Sequence, residues 1–208
     1  MEKAIPTLDV TIPFLMRGKK RGYSMQQRLI SKSDGDHISQ ELEEEGFLED
    51  LVELEETAMF YTKEMQHASQ LHSVLNSAIC RVEGKNRNHI PLFSVRVFDA
   101  GEIGTTIHRN DPVVGPWAVG VTLRGAAPFN VYRQHQLPDK AGYTIDLLDD
   151  GNDPTPFASM NACAGSGWTL YTRNQFVPHS SGLVTSLDQR ELLIFYATNN
   201  WDISEELL

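Results

Sequence analysis

Between Leu92 and Tyr196 the chain breaks into eight short β-prone runs with no helical stretch between them, and this rhythm limits the fold more than any other feature. The runs are LFSVRVF at 92–98, TTIH at 105–108, WAVGVTLR at 117–124, FNVY at 129–132, YTIDLL at 143–148, WTLY at 168–171, FVPH at 176–179 and RELLIFY at 190–196. Most are bounded by Gly, Pro, Asn or Asp, the residues that end strands and form turns. Eight short strands without intervening helices predict a two-sheet jelly roll or barrel. The connection at 149–166, DDGNDPTPFASMNACAGS, is polar, rich in turn formers and too long for a hairpin, so it reads as a substrate-covering loop or a surface insertion. The aromatics Trp117, Trp168 and Phe195 lie on strands and are assigned to the interior.

The N-terminal half has a different period. From about Ile38 to Val82, Leu48, Leu51, Val52, Met59, Met65, Ala68, Leu71, Leu75, Ala78 and Ile79 recur mostly at three- and four-residue steps, which predicts one or two amphipathic helices. Ser39 with Glu43 is a plausible helix start, and Gly46 divides the stretch or marks a false start. The acidic run ELEEEGFLEDLVELEE at 41–56 reads as the solvated face of the first helix, and His67 and His72 as ordinary helical histidines. Ahead of this region, LDVTIPFLM reads as a β-prone run that extends the main sheet or as part of an arm. The basic residues Arg17, Lys19, Lys20 and Arg21 read as solvated, with contact to a phosphate or acidic partner as the alternative. The chain is thus expected to be α+β and mainly β, one globular domain with an arm or extra strand at 1–36, a helical support at 37–84 and a β core at 85–208.

Composition bounds the function. At 208 residues the chain suffices for one domain with a substantial core, and 40% hydrophobic with 22% charged residues describe an ordinary globular protein. No apolar run approaches the roughly 20 residues of a membrane helix, and the start MEKAIPTLDVTIPFLMRGKK lacks the order of a signal peptide, so a cytoplasmic location and no membrane partner are expected. Eighteen basic against 28 acidic residues, a net charge of −10, argue against a nucleic-acid-binding surface. Cys80 and Cys163 are expected as reduced thiols. No feature of the sequence sets the oligomeric state.

Chemistry concentrates in four places. His108 is followed closely by Asp111, and His179, 71 residues further on (179 minus 108), is followed by Arg190 at the start of the last apolar run. Two imidazoles and one carboxylate on one side of an iron(II) ion leave its other positions open for a co-substrate and oxygen. The order of HRND at 108–111, WAVGVTLRGAAPFNVY at 117–132, GSGWTLY at 165–171, PHSSG at 178–182 and RELLIFY at 190–196 resembles the iron(II)/2-oxoglutarate-dependent dioxygenases over roughly the C-terminal half of the chain.

The resemblance implies a double-stranded β-helix, a jelly roll with the N-terminal helices packed on its main sheet. It also implies an enzyme that takes Fe(2+), O2 and 2-oxoglutarate as co-substrate and hydroxylates a C–H bond of a small-molecule substrate, releasing succinate and CO2. On that pattern His108, Asp111 and His179 hold the metal, and Arg190 grips the far carboxylate of 2-oxoglutarate. The family's first motif places its acid two residues after the histidine, where this chain has Asn110. Asp111 is therefore the preferred ligand, with Asn110 the alternative or the site degenerate. Where the family often has Ser or Thr two residues after the arginine this chain has Leu192, so a second anchor must come from elsewhere, with Tyr132 and Thr122 as candidates. Competing readings are a cupin-like jelly roll that binds without turnover, an oxygenase acting on a protein side chain or nucleobase, and a halogenating relative that lacks the carboxylate.

Overall fold

A computed structural model describes residues 7–46, 58–60, 66–84, 90–110, 116–133, 154–171, 177–187 and 189–198. The chain begins with helix α1 (Leu8–Arg21), followed by β1 (Tyr23–Gln26), α2 (Lys32–Glu44), β2 (Ala58–Phe60) and α3 (Gln66–Glu83). The strands β3 (Ile90–Phe98), β4 (Ile103–His108), β5 (Trp117–Arg124), β6 (Ala126–Val131), β7 (Ala158–Cys163), β8 (Gly167–Tyr171), β9 (His179–Leu183) and β10 (Arg190–Thr198) follow. They form two antiparallel sheets, a six-stranded one in the order β1-β8-β5-β10-β3-β2 and a four-stranded one in the order β4-β9-β6-β7. Among the described residues no helix is long and apolar enough to cross a membrane.

Alternation along the central strands builds three layers. On β5 and β10, Trp117, Val119, Val121, Leu123, Leu193 and Phe195 face the helices, where Phe14, Leu15, Ile38, Leu42, Leu71, Leu75 and Ile79 bury themselves against them. The intervening residues Ala118, Leu192 and Ile194 face the other way and meet Phe129, Val131, Met160 and Ala162 of the four-stranded sheet, with Trp168 and Leu170 between. Trp117 and Phe195 are therefore interior, as expected, and Trp168 lies between the sheets.

Several N-terminal expectations are corrected. LDVTIPFLM is helical, despite its β-branched residues and Pro13, because Thr11, Phe14, Leu15 and Gly18 fall at helical spacing on the buried side. The sheet extension is instead Tyr23–Gln26, which pairs with β8 after the left-handed Gly22 (φ 84°) ends α1. The basic residues Lys19, Lys20 and Arg21 form the last turn of α1, where positive charge suits the helix dipole, and Lys19 Nζ bonds the Val82 carbonyl at 2.9 Å.

α2 starts not at Ser39 but at Ser31, whose hydroxyl accepts from the Asp34 amide while the Asp34 carboxylate accepts from the Ser31 amide. Gly35 hides this start in the sequence. It is needed because a β-carbon there would lie 3.0 Å from the Leu123 carbonyl oxygen, so α2 sits directly on β5. Met59 belongs to strand β2 and not to a helical stripe. Ala68, Leu71, Leu75, Ala78 and Ile79 are the buried face of α3, and Leu48, Leu51, Val52 and Met65 lie outside the described residues. From the acidic run, Glu41 is not merely solvated: it accepts the His67 and Ala68 amides at the start of α3.

In the β region the run at 143–148 lies outside the described residues, and a strand appears where a covering loop was expected. Residues 158–163 pair with β6 as an edge strand, with Met160 and Ala162 turned inward. The run expected at 176–179 is shifted: β9 begins at His179 and continues through Ser180, Ser181 and Gly182.

Candidate metal centre

β4 and β9 lie side by side in the four-stranded sheet, and their pairing contains a bulge. Thr105 pairs with Ser181 and His108 with His179, so three steps on β4 match two on β9. The extra residue reverses the alternation. Thr105 and His108 both line the inter-sheet cavity, while Ile107 turns away and packs with Tyr132. On β9 the ordinary two-residue period places His179 and Ser181 on the cavity side.

The two imidazoles converge, with ring centroids 4.2 Å apart. Each is oriented by its own strand: His108 Nδ1 lies 2.9 Å from the Thr106 carbonyl oxygen and His179 Nδ1 lies 3.0 Å from that of Val177. A carbonyl only accepts, so both Nδ1 atoms carry the proton and both Nε2 atoms present lone pairs, the form that binds a metal. Burial lowers the pKa of His108, assisted by the positive Arg96 and opposed by the bond to Thr106. His179, 3% exposed, is held well below 6.5 by burial, then by His108 and Arg96, against the bond to Val177. Both rings are thus neutral at physiological pH.

Arg190 opens β10 from the six-stranded sheet and points into the same cavity with no exposed surface. Its Nη1 donates to Ser181 Oγ and its Nη2 to Thr122 Oγ1 at 3.4 Å, while its Nε is buried and has no partner. No carboxylate among the described residues pairs with it; its neighbour Glu191 faces the helices, accepting from Ser39 and from Arg124 at 3.3 Å. Burial pushes Arg190 down to about 10, so it remains a cation at neutral pH.

Thr122 stands beside Arg190, within hydrogen-bond reach of its guanidinium. Tyr132 does not: its hydroxyl contacts Ser180 Oγ at 3.0 Å on the face away from the cavity. Ser181 was not anticipated, although the two-residue period from His179 points to it. Asn110 lines the cavity, and its Nδ2 is buried without a partner; Asp111 lies outside the described residues. Among the described residues no three His, Cys, Asp or Glu side chains gather as a metal site.

The walls are apolar. Trp168 stacks on Phe129 with centroids 4.5 Å apart and planes 4° from parallel, and Leu192 and Ile194 complete the lining with Arg96 of β3. The indole occupies the space left by Gly120 opposite it on β5; any β-carbon there would collide with the ring. The free volume is about 20 Å³, room for an ion or one water molecule, and a larger ligand must displace side chains to enter. The donor set fits a divalent transition metal: two neutral imidazoles with lone pairs free on Nε2, the side chain of Asn110 beside them, and room for one ion.

No protein-family model and no curated protein sequence matches the chain. Solved structures do match it in shape. A Pseudomonas putida prolyl-4-hydroxylase superposes with a TM-score of 0.62 at 12% identity, covering 95% of this chain and 97% of that one. EvdO2 from Micromonospora carbonacea gives 0.56 at 13% identity, covering 94% of each. HygX from Streptomyces hygroscopicus, solved with nickel and 2-oxoglutarate bound, gives 0.57 at 14% identity, covering 91% of this chain and 87% of that one. At such identities the likeness is one of architecture, and the chain shares the fold of these proteins.

Proposed function

We propose that the chain is an iron(II)- and 2-oxoglutarate-dependent oxygenase that hydroxylates a C–H bond of a small-molecule substrate on a double-stranded β-helix. Arg190 carries this reading. A fully buried guanidinium, bonded among the described residues only to neutral hydroxyls, costs several kcal/mol unless an anion meets it. This one opens onto the cavity that holds two imidazoles in the metal-binding tautomer. The fold shared with a structure that holds nickel and 2-oxoglutarate supports it.

In this reading His108 and His179 hold the metal through Nε2, and the third donor comes from Asn110, whose side chain lines the cavity, or from Asp111. Arg190 receives the distal carboxylate of 2-oxoglutarate in a bidentate pair, with Thr122 and Ser181 fixing the plane of the guanidinium. Trp168, Phe129, Leu192 and Ile194 keep water away and strengthen these polar contacts. When bound, iron(II) with 2-oxoglutarate and O2 supplies the oxidation, with succinate and CO2 released.

The test is calorimetric titration of the chain with manganese and then 2-oxoglutarate, followed by a succinate assay with iron under air. One metal, metal-dependent 2-oxoglutarate binding and succinate release are expected. Absence of all three leaves a jelly-roll binding module. Asn110→Ala and Asp111→Ala made separately assign the third ligand, the true one weakening manganese binding at least about tenfold.

A further inference from the structure

The indole of Trp168 has both faces covered and its polar edge unused. Phe129 of β6 lies flat against one face. Gly120 of β5 lies over the other: a β-carbon built there would stand nearest the ring-fusion atom Cε2, then Cζ2, then Nε1. A fusion atom that is nearer than its neighbours on the rim marks an approach from above the plane. The ring is thus clamped between the two sheets, and its N–H, which lies in the ring plane, points sideways into the space between them.

That N–H has no acceptor. Trp168 is 3% exposed and lines the cavity, and its Nε1 is buried without a hydrogen-bond partner. Native proteins seldom leave a buried donor unpaired, so each case calls for a reason. Arg190 Nε and Asn110 Nδ2 line the same cavity in the same condition. All are donors, so what they lack is a ligand rich in acceptors.

The sheet fixes where such a ligand meets the indole. Trp168 pairs with Gly120, and Thr122, which accepts from Arg190, is the next residue of β5 on that face, about 7 Å further along. A carboxylate has oxygens enough for several donors, so one gripped by Arg190 at Thr122 has a free side toward the indole edge. Leu192, two residues after Arg190, has no donor to offer there.

Resting on the oxygenase reading, we propose that Trp168 is a positioning residue for the co-substrate, its indole N–H donating to the distal carboxylate of 2-oxoglutarate beside Arg190. Phe129 and Gly120 hold the ring, so the donor is in place before the ligand arrives. Two donors from different directions set how far the co-substrate reaches toward the histidines.

The test uses the full chain loaded with zinc, a diamagnetic substitute for iron. The probes are 2-oxoglutarate and 2-oxovalerate, which has a methyl group in place of the distal carboxylate. The indole N–H resonance of Trp168, assigned from its own connectivities, should move downfield and exchange more slowly with water on saturation with 2-oxoglutarate, and do neither with 2-oxovalerate. Trp168→Phe should bind 2-oxoglutarate at least about tenfold more weakly, with 2-oxovalerate within about threefold of the unaltered chain. A resonance that stays in place when 2-oxoglutarate binds overturns the proposal, and so does one that moves equally with both acids. Neither result depends on a variant that folds. An equal loss of both acids in Trp168→Phe leaves Trp168 a packing role and also overturns it. Failure of zinc and both acids to bind removes the oxygenase reading and this one with it, an outcome distinct from the other three.

Discussion

Replacing Arg190 with methionine should make the empty protein more stable and the loaded one non-functional. Burial lowers this guanidinium to about 10, which at about 1.4 kcal/mol per tenfold disfavours its charged form by about 3 kcal/mol. Methionine fills a similar volume without a charge. Against the gain, Ser181 and Thr122 each lose a partner, at about 1 kcal/mol apiece, leaving a net gain of about 1 kcal/mol. For a chain of this size that raises Tm by roughly 2–4 °C. If Arg190 grips 2-oxoglutarate as proposed, the variant also forfeits a bidentate charge-assisted pair, and manganese-dependent affinity for 2-oxoglutarate should fall at least about 100-fold. Thermal unfolding without ligands and calorimetry with them read the two effects separately. A Tm lower by several degrees with 2-oxoglutarate binding intact would refute the reasoning, since Arg190 would then be a structural residue.

Other outcomes follow from the same geometry. His179→Ala should abolish manganese binding while far-ultraviolet circular dichroism stays unchanged, and His108→Ala should do the same. Glu191→Gln weakens the bonds to Ser39 and Arg124 that tie α2 and β5 to β10, and should lower stability by about 1–3 kcal/mol in urea unfolding while metal binding persists. The metal-free protein should lose stability as pH falls below 6.5. Both histidines have folded pKa values below that of the unfolded chain, so the unfolded state takes up protons first and the advantage of the native state shrinks from 6.5 down to the folded values. A melting temperature that is flat or rising from pH 7 to pH 5 would contradict this, and saturating manganese should shift the decline to lower pH.

The strands with strong β-formers were legible from the sequence: WAVGVTLR and RELLIFY fall where β5 and β10 lie, and His108, His179 and Arg190 line one cavity. What was not legible depends on tertiary context. Ser180 and Ser181 and the run ASMNAC have low intrinsic strand preference, and pairing with β6 holds them extended. The start of α2 was masked by Gly35, a poor helix former required by contact with β5. Thr11, Phe14, Leu15 and Gly18 carried a helical period that the surrounding Val, Thr and Ile obscured. Trp168 followed the rule that large strand residues build interiors, yet its ring also borders the site, because Gly120 opposite it leaves the room.

The extra residue in β4 makes the centre dependent on strand register as well as on chemistry. Were β4 to lose the bulge and slip by one residue into plain alternation, Ile107 would come opposite His179 and the imidazole of His108 would swing to the far face. Every proposed ligand would still be present in the chain, and the two imidazoles would no longer face one another across the cavity. The position of the imidazole is thus set by how one strand is held against its neighbour, several residues short of the histidine itself.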